Sequence, residues 1–349
     1  MKQGVDKSSV VCDKKLQVGS ARWPADFKVL MNMGVICLRI SVTDRCNLRC
    51  VYCRPREDCD FIQGREVLTS DEIHHIVELF AGCGVNRVRL TGGEPLMRED
   101  IVSLVGRLTA SECVRELTLT TNGVLLERMA EDLKAAGLDR INVSIDSLEA
   151  SCYEKITGYD FSSEVVLGIR KALEVGLTPV RINAVILKGI NHSQVAALAG
   201  MSVNLPVTVR FIEYCPTSDD THPADDYMPY DEIRRIIEDA FGPLREAAVE
   251  RGNGPASYFK IENSAGAIGF ISGRSTVFCE SCNRLRLTCD GKIKPCLYSP
   301  QQYDIRKLVR GGAPDEQIQE ALKVIISRKH SFTRLTSPAE GFCMRKVGG

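Results

Sequence analysis

Six apolar runs with strand character recur along the first two thirds of this chain, each followed after a short connection by a segment of helical period. They span Val35 to Val42, Val85 to Thr91, Glu116 to Thr121, Arg140 to Ile145, Pro179 to Leu187 and Val207 to Tyr214. Strands that alternate with helices form βα units, and a run of such units predicts a parallel sheet covered by helices. No Gly-x-Gly-x-x-Gly turn follows the first strand. A partial barrel therefore fits better than a doubly wound sheet. Thr69-Ser70-Asp71-Glu72 reads as a capping box, after which Ile73, Ile76, Val77 and Phe80 share a helical face. Helices near 125 to 136 and 164 to 175 run into Gly137 and Gly176, which suit left-handed C-caps. Beyond about 216 the pattern changes to a Pro/Asp-rich loop, a helix at 230 to 240, short strands at 257 to 272, a cysteine cluster and two helices. The expected division is an N-terminal arm at 1–34, a barrel at 35–220 and an α+β extension at 221–349.

Lys and Arg number 45 and Asp and Glu 45, so no global field recruits nucleic acid or an anionic membrane. Neither a signal sequence nor a run of about 20 apolar residues is evident, and a cytoplasmic chain is expected. The 15 cysteines are then better read as metal ligands or redox groups than as disulfides. Cys46, Cys50 and Cys53 form a C-x3-C-x2-C loop directly after the first strand. Three thiolates there can hold three irons of a 4Fe-4S cluster and leave the fourth open. A zinc site lacking its fourth ligand, or three cysteines that are simply buried, are the alternatives. Cys279, Cys282 and Cys296 make a second trio, either another such cluster or, with Cys289, a four-thiol zinc site.

Arg39, Arg87, Arg89, Arg181 and Arg210 interrupt the strands, and Arg284 and Arg286 share a face after the second cysteine pair. Unpaired guanidinium groups are costly to bury, so these face water, pair with outer helices or line a cavity that holds an anion. Arg in place of Lys favours forked recognition of phosphate or carboxylate. The strand ends carry Thr91-Gly92-Gly93-Glu94-Pro95, Thr120 to Gly123, Ser144-Ile145-Asp146 and Glu213. In a βα barrel this rim holds the active site.

The C-x3-C-x2-C loop with Tyr52, in register with Gly92-Gly93-Glu94-Pro95, resembles the radical S-adenosylmethionine superfamily. The stretch from about 35 to 349 is similar to its GTP 3',8-cyclase branch, through Leu38 to Cys46, Arg210 to Tyr214, Asn283 to Thr288 and the terminal Gly348-Gly349. The resemblance implies a partial (β/α)6 TIM-like barrel whose C-terminal α+β extension carries a second cluster. It implies that Cys46, Cys50 and Cys53 hold one 4Fe-4S cluster and Cys279, Cys282 and Cys296 an auxiliary one. Tyr52, Gly93, Ser144 and Cys215 would line the S-adenosylmethionine pocket, and Arg39, Arg89, Thr120, Arg181, Arg284 and Arg286 would bind GTP. The implied reaction is removal of the ribose C3' hydrogen by a 5'-deoxyadenosyl radical and attack on guanine C8, opening molybdenum cofactor biosynthesis. The implied partners are an electron donor of flavodoxin or ferredoxin type and a downstream cyclic pyranopterin monophosphate synthase. A homodimer stays open. Departures from the branch are Cys215 for Met, Arg181 for Lys, Cys289 for Ala, and an altered arm before the first strand. Arg181 preserves the charge, whereas Cys215 and the altered arm leave room for a paralogue with a different substrate. The second reading is a two-cluster maturase acting on a peptide, against which the Asn283 to Arg286 run and Gly348-Gly349 favour the cyclase branch. A zinc-ribbon module on an inactive barrel is the third reading.

Overall fold

The computed structural model describes residues 37–53, 61–215, 226–247, 255–276, 282–297, 301–327, 329 and 344–348. The arm at 1–34 and Cys279 lie outside them. Six parallel strands stand side by side in chain order: β1 (Cys37–Ser41), β2 (Arg87–Thr91), β3 (Glu116–Thr121), β4 (Arg140–Ser144), β5 (Val180–Ile186) and β6 (Val207–Glu213). Each matches a sequence-read run to within about two residues.

The C-terminal part adds strands at both edges of that body. On the β6 side lie β9 (Ala267–Ile271, parallel), β8 (Ser257–Lys260) and β7 (Arg245–Glu246). On the β1 side lie β10 (Arg284–Leu287, parallel), β11 (Lys292–Lys294) and β12 (Tyr303–Asp304). The result is one 12-stranded sheet, with eight parallel strands from β10 through β9.

Strand alternation then sorts the side chains. Leu38, Ile40, Val88, Leu90, Leu119, Ile141, Ile182 and Val209 form one face and are buried. Their cover includes α1 (Ser70–Ala81), α2 (Ile101–Thr109), α3 (Leu126–Ala135), α5 (Ser162–Glu174) and α6 (Val195–Asn204), with the short α4 (Ala150–Thr157) before α5. Each fully buried Leu, Ile or Val stabilises by roughly 1.5–3 kcal/mol, so this apolar interface holds the layers together. Reciprocal bonds between Thr69 and Glu72 close the expected capping box on α1. Gly137 and Gly176 take the expected left-handed conformation. Further on lie α7 (Tyr230–Phe241), α8 (Arg306–Arg310), α9 (Asp315–Ser327) and the short α10 (Met344–Val347). No helix among the described residues is long and apolar enough to cross a membrane.

Candidate functional site

The opposite strand face is dominated by polar and cationic side chains. Register places Arg286, Arg39, Arg89 and Thr118 in one row across β10, β1, β2 and β3, continued by Arg140 on β4. A second row runs Thr120, Asn142, Arg181 and Thr208 across β3 to β6. Arg39, Arg89, Thr120, Arg181, Arg284 and Arg286 all belong to strands whose alternate positions carry this polar face, and for Arg284 and Arg286 the strand is β10.

The charges there are buried and crowded. Burial, with Arg286, Arg284 and Arg89 around it, pushes the Arg39 guanidinium well below its usual range. Burial and Arg89 push Arg210 down to about 9. Burial and Arg286 bring Lys294 down to about 8. The Arg39 and Arg210 Nε atoms are buried without a hydrogen-bond partner among the described residues. A polyanion fits such an interior, because it supplies both the acceptors and the opposite charge. Arg87 behaves differently, pairing with Glu116 at 3.5 Å and keeping a third of its side chain exposed. Sequence reading left out Arg140, Asn142 and Lys294. Asn142 ties the second row together and to Arg210 beyond it, donating to Thr120 Oγ1 at 3.3 Å and accepting from Arg210 at 2.8 Å. The alternation that flagged Arg87 and Arg89 could have found Arg140 and Asn142.

The C-x3-C-x2-C loop sits over the C-terminal ends of these strands. The Arg49 and Val51 amides donate to Thr157 and Ile156 at the end of α4, and Arg98 donates to the Val42 carbonyl at 2.9 Å. Gly92 and Gly93 follow β2 and press on the same loop: Gly93 N donates to Thr43 O and Glu94 N to Arg45 O, both at 2.7 Å. A Cβ on Gly93 would lie 2.2 Å from the Arg45 carbonyl oxygen, and one on Gly92 2.6 Å from that of Thr43. The diglycine is therefore required first by the cysteine loop's own backbone. Glu94 accepts from Leu96 N, Asn122 N and Thr121 Oγ1. Burial nevertheless pushes its carboxyl up to about 7.

Asn122 reaches Cys46 Sγ at 3.8 Å and Asn47 at 2.7 Å. Burial pushes the Cys50 thiol well up, and Cys53, Asp146 and Cys46 add to the shift. With their protons retained in this way, the thiols would be deprotonated only as a cationic metal centre binds, because its positive charge offsets the burial and mutual repulsion of the thiolates. Among the described residues no three such side chains enclose a point for a single ion. A cubane, whose ligands sit on separate irons, does not need one. Tyr52 donates to Asp146 Oδ2 at 2.5 Å, while Val185 N donates to Oδ1 at 2.8 Å. Tyr52 is thus held beside the C-terminal end of β4, whose last residue is Ser144, while Gly93 and Cys215 each follow the C-terminal end of their strand, β2 and β6, by two residues.

Cys282 and Cys296, the described members of the second trio, are at the other end. Cys282 precedes β10, and the antiparallel register of β10 and β11 carried onward sets Cys296 opposite Arg284. Cys289 lies in the turn beyond β10, roughly 13 Å or more from Cys282 at about 3.4 Å per strand residue. The strand between them rules Cys289 out as a shared fourth zinc ligand. Its thiol is pushed up to about 12 by burial, Asp44 and Asp290. Burial pushes the Cys282 thiol up, but Arg284 and Lys329 outweigh it and bring it down to about 7. Gly348 also reaches this face: the Arg286 guanidinium donates to Gly348 O, and Gly348 is buried against Thr91.

Glu213, on the rim at the end of β6, is fully engaged. It accepts from Ser275 Oγ (2.6 Å), Ser275 N (2.8 Å), Arg274 N (2.9 Å), Tyr230 N (3.0 Å) and Tyr227 OH (3.2 Å). Burial pushes the carboxyl up, but these donors win and hold it below its ordinary value. Its contribution is complete above the unfolded value near 4.3 and is lost as pH falls through the lower folded value. Glu213→Gln is expected to cost about 2 kcal/mol or more in urea unfolding at pH 7 and less at pH 3. An equal cost at both would remove the charge from the explanation.

The comparisons agree with this geometry. Residues 40–201 match the Radical SAM superfamily and 207–334 match Molybdenum Cofactor Synthesis C. A GTP 3',8-cyclase of Thermodesulfovibrio yellowstonii is 41% identical over 91% of this chain and 98% of its own length. One from Listeria welshimeri is 44% identical over 78% and 82%. Among solved structures, Streptococcus suis SuiB bound to precursor peptide SuiA superposes with TM-score 0.59 at 18% identity, covering 91% of this chain and 72% of that one. That likeness is one of fold. Full-length identity of this order, with the two matched regions in sequence, makes the chain a member of the GTP 3',8-cyclase family within the radical S-adenosylmethionine superfamily.

Proposed function

We propose that this chain converts GTP to (8S)-3',8-cyclo-7,8-dihydroguanosine 5'-triphosphate, the first step of molybdenum cofactor biosynthesis. The observation that carries the reading is the arginine-lined face with Cys46, Cys50 and Cys53 at one strand end and Cys282 and Cys296 at the other. Cys46, Cys50 and Cys53 would hold the first 4Fe-4S cluster, and Tyr52, Gly93, Ser144 and Cys215 the S-adenosylmethionine beside it. Cys279, Cys282 and Cys296 would hold the auxiliary cluster, with 221–349 acting as its domain. When bound, the first cluster and S-adenosylmethionine supply an alkyl radical able to take hydrogen from ribose C3'.

The chain's own residues perform the positioning. Arg39, Arg89, Arg181, Arg284 and Arg286 would clamp the triphosphate, with Thr120 among them, so that C3' and C8 are held at attack distance. Electrons would come from a flavodoxin- or ferredoxin-type donor in the cytoplasm, and the product would pass to a cyclic pyranopterin monophosphate synthase. The peptide reading gains nothing from this interior, whose side chains suit compact polyanions better than an extended backbone.

The deciding experiment follows 5'-deoxyadenosine and nucleotide products by mass spectrometry, in anaerobically reconstituted protein with S-adenosylmethionine and a strong reductant. The expected result is GTP-dependent deoxyadenosine together with an isomer of GTP. Deoxyadenosine with untouched GTP would return the peptide reading to the front.

A further inference from the structure

Lys329 is a buried lysine, only 5% exposed, reached just after α9. Its ammonium lies 3.5 Å from Cys282 Sγ and donates to the Pro295 carbonyl at 3.1 Å. Pro295 directly precedes Cys296, so one side chain touches the segments of two candidate cluster ligands. Among the described residues no carboxylate lies within ion-pair distance of it. A buried ammonium costs several kcal/mol unless an anion compensates it. The anion at hand is the Cys282 sulfur. The other lysines given a carboxylate partner, such as Lys171 and Lys307, lie toward the surface.

We propose that Lys329 is a positioning residue for the auxiliary cluster: its ammonium neutralises charge on the Cys282 sulfur, ties that ligand to the Pro295–Cys296 turn, and raises the cluster's reduction potential. This rests on the reading that Cys279, Cys282 and Cys296 hold a cluster. Hydrogen bonds to cluster sulfurs and local net charge set the potentials of such centres. Groups behind the ligands also fix ligand orientation and metal affinity. A cation stabilises the reduced, more negative cluster more than the oxidised one. Arg284, on the same sulfur, acts in the same direction but faces the interior where GTP would bind. Lys329 comes from outside that row, so it can tune the cluster without being claimed by substrate.

The test uses the full chain, reconstituted anaerobically, with Lys329→Met and Lys329→Arg made both in wild type and in a Cys46→Ala/Cys50→Ala/Cys53→Ala background that isolates the auxiliary cluster. Iron and sulfide are assayed, and the midpoint potential is read by EPR-monitored redox titration. Lys329→Met is expected to make the auxiliary cluster at least tenfold harder to reduce at fixed potential, a negative shift of 59 mV for one electron. Lys329→Arg stays near the parent value, and the first cluster does not move. An unchanged midpoint in Lys329→Met with full iron overturns the proposal. If Lys329→Met loses auxiliary iron, retention of iron by Lys329→Arg supports the charge role and loss by both overturns it. Absence of iron from the triple-alanine parent itself would instead show that the three-cysteine premise has failed.

Discussion

Gly93→Ala is expected to empty the first cluster site and spare the second, so that bound iron falls to roughly half and S-adenosylmethionine cleavage drops to background. The added methyl would lie 2.2 Å from the Arg45 carbonyl oxygen and 2.6 Å from its carbon. Neither atom belongs to a flexible side chain. Overpacking into well-filled protein usually costs about 1–3 kcal/mol. Here the strain falls on the segment that aims Cys46, because Thr43 and Arg45 carbonyls take the Gly93 and Glu94 amides. Gly106→Ala is the control: its Cβ meets nothing closer than 3.9 Å, and in α2 alanine should stabilise by about 0.5–1 kcal/mol. Full iron in Gly93→Ala would show that the loop can retreat, and the diglycine would then need another explanation.

Arg39→Met is expected to produce two changes of opposite benefit. Without nucleotide, melting temperature should rise, since one of several crowded like charges is replaced by an apolar group of similar length. Affinity for GTP should fall by roughly 10- to 150-fold, the equivalent of one charge-assisted hydrogen bond of about 1.5–3 kcal/mol. Both clusters should keep their iron. Calorimetry with GTP and thermal unfolding of the same samples measure the pair. Unchanged GTP affinity would remove Arg39 from the triphosphate clamp, whatever happens to stability.

How much of this was legible beforehand depends on the length scale of the signal. The six strands and the capped helix at Ser70–Ala81 were readable because apolar period and capping chemistry are local. β10 and β11 were not read as strands: Arg284 to Leu287 alternates charge with leucine for only four residues, too short a run to stand out. Their pairing with β1 is a long-range fact that no window of sequence contains. The cysteine trios were visible from spacing alone, whereas Lys329 carried no sequence mark at all. Its meaning depends on a fold that brings it 47 positions back to Cys282. Glu213 illustrates a different gap. Its place on the rim was correct, but its lone pairs are already spent on Ser275, Arg274, Tyr230 and Tyr227.

The two-sided sheet has a consequence for biosynthesis. The first six strands are translated well before β9 and β10, which cover the outer edges of β6 and β1. A nascent chain of about 215 residues therefore presents two naked parallel edges at once, each with unpaired backbone donors and acceptors. Its interior arginines would still be unbalanced by any anion. Chains stalled or truncated before β9 should aggregate in cell extracts, and a separately supplied C-terminal segment should rescue them only if it reaches both edges. In this molecule, the segment that bears the second cysteine set also acts as the closing clamp of the nascent fold.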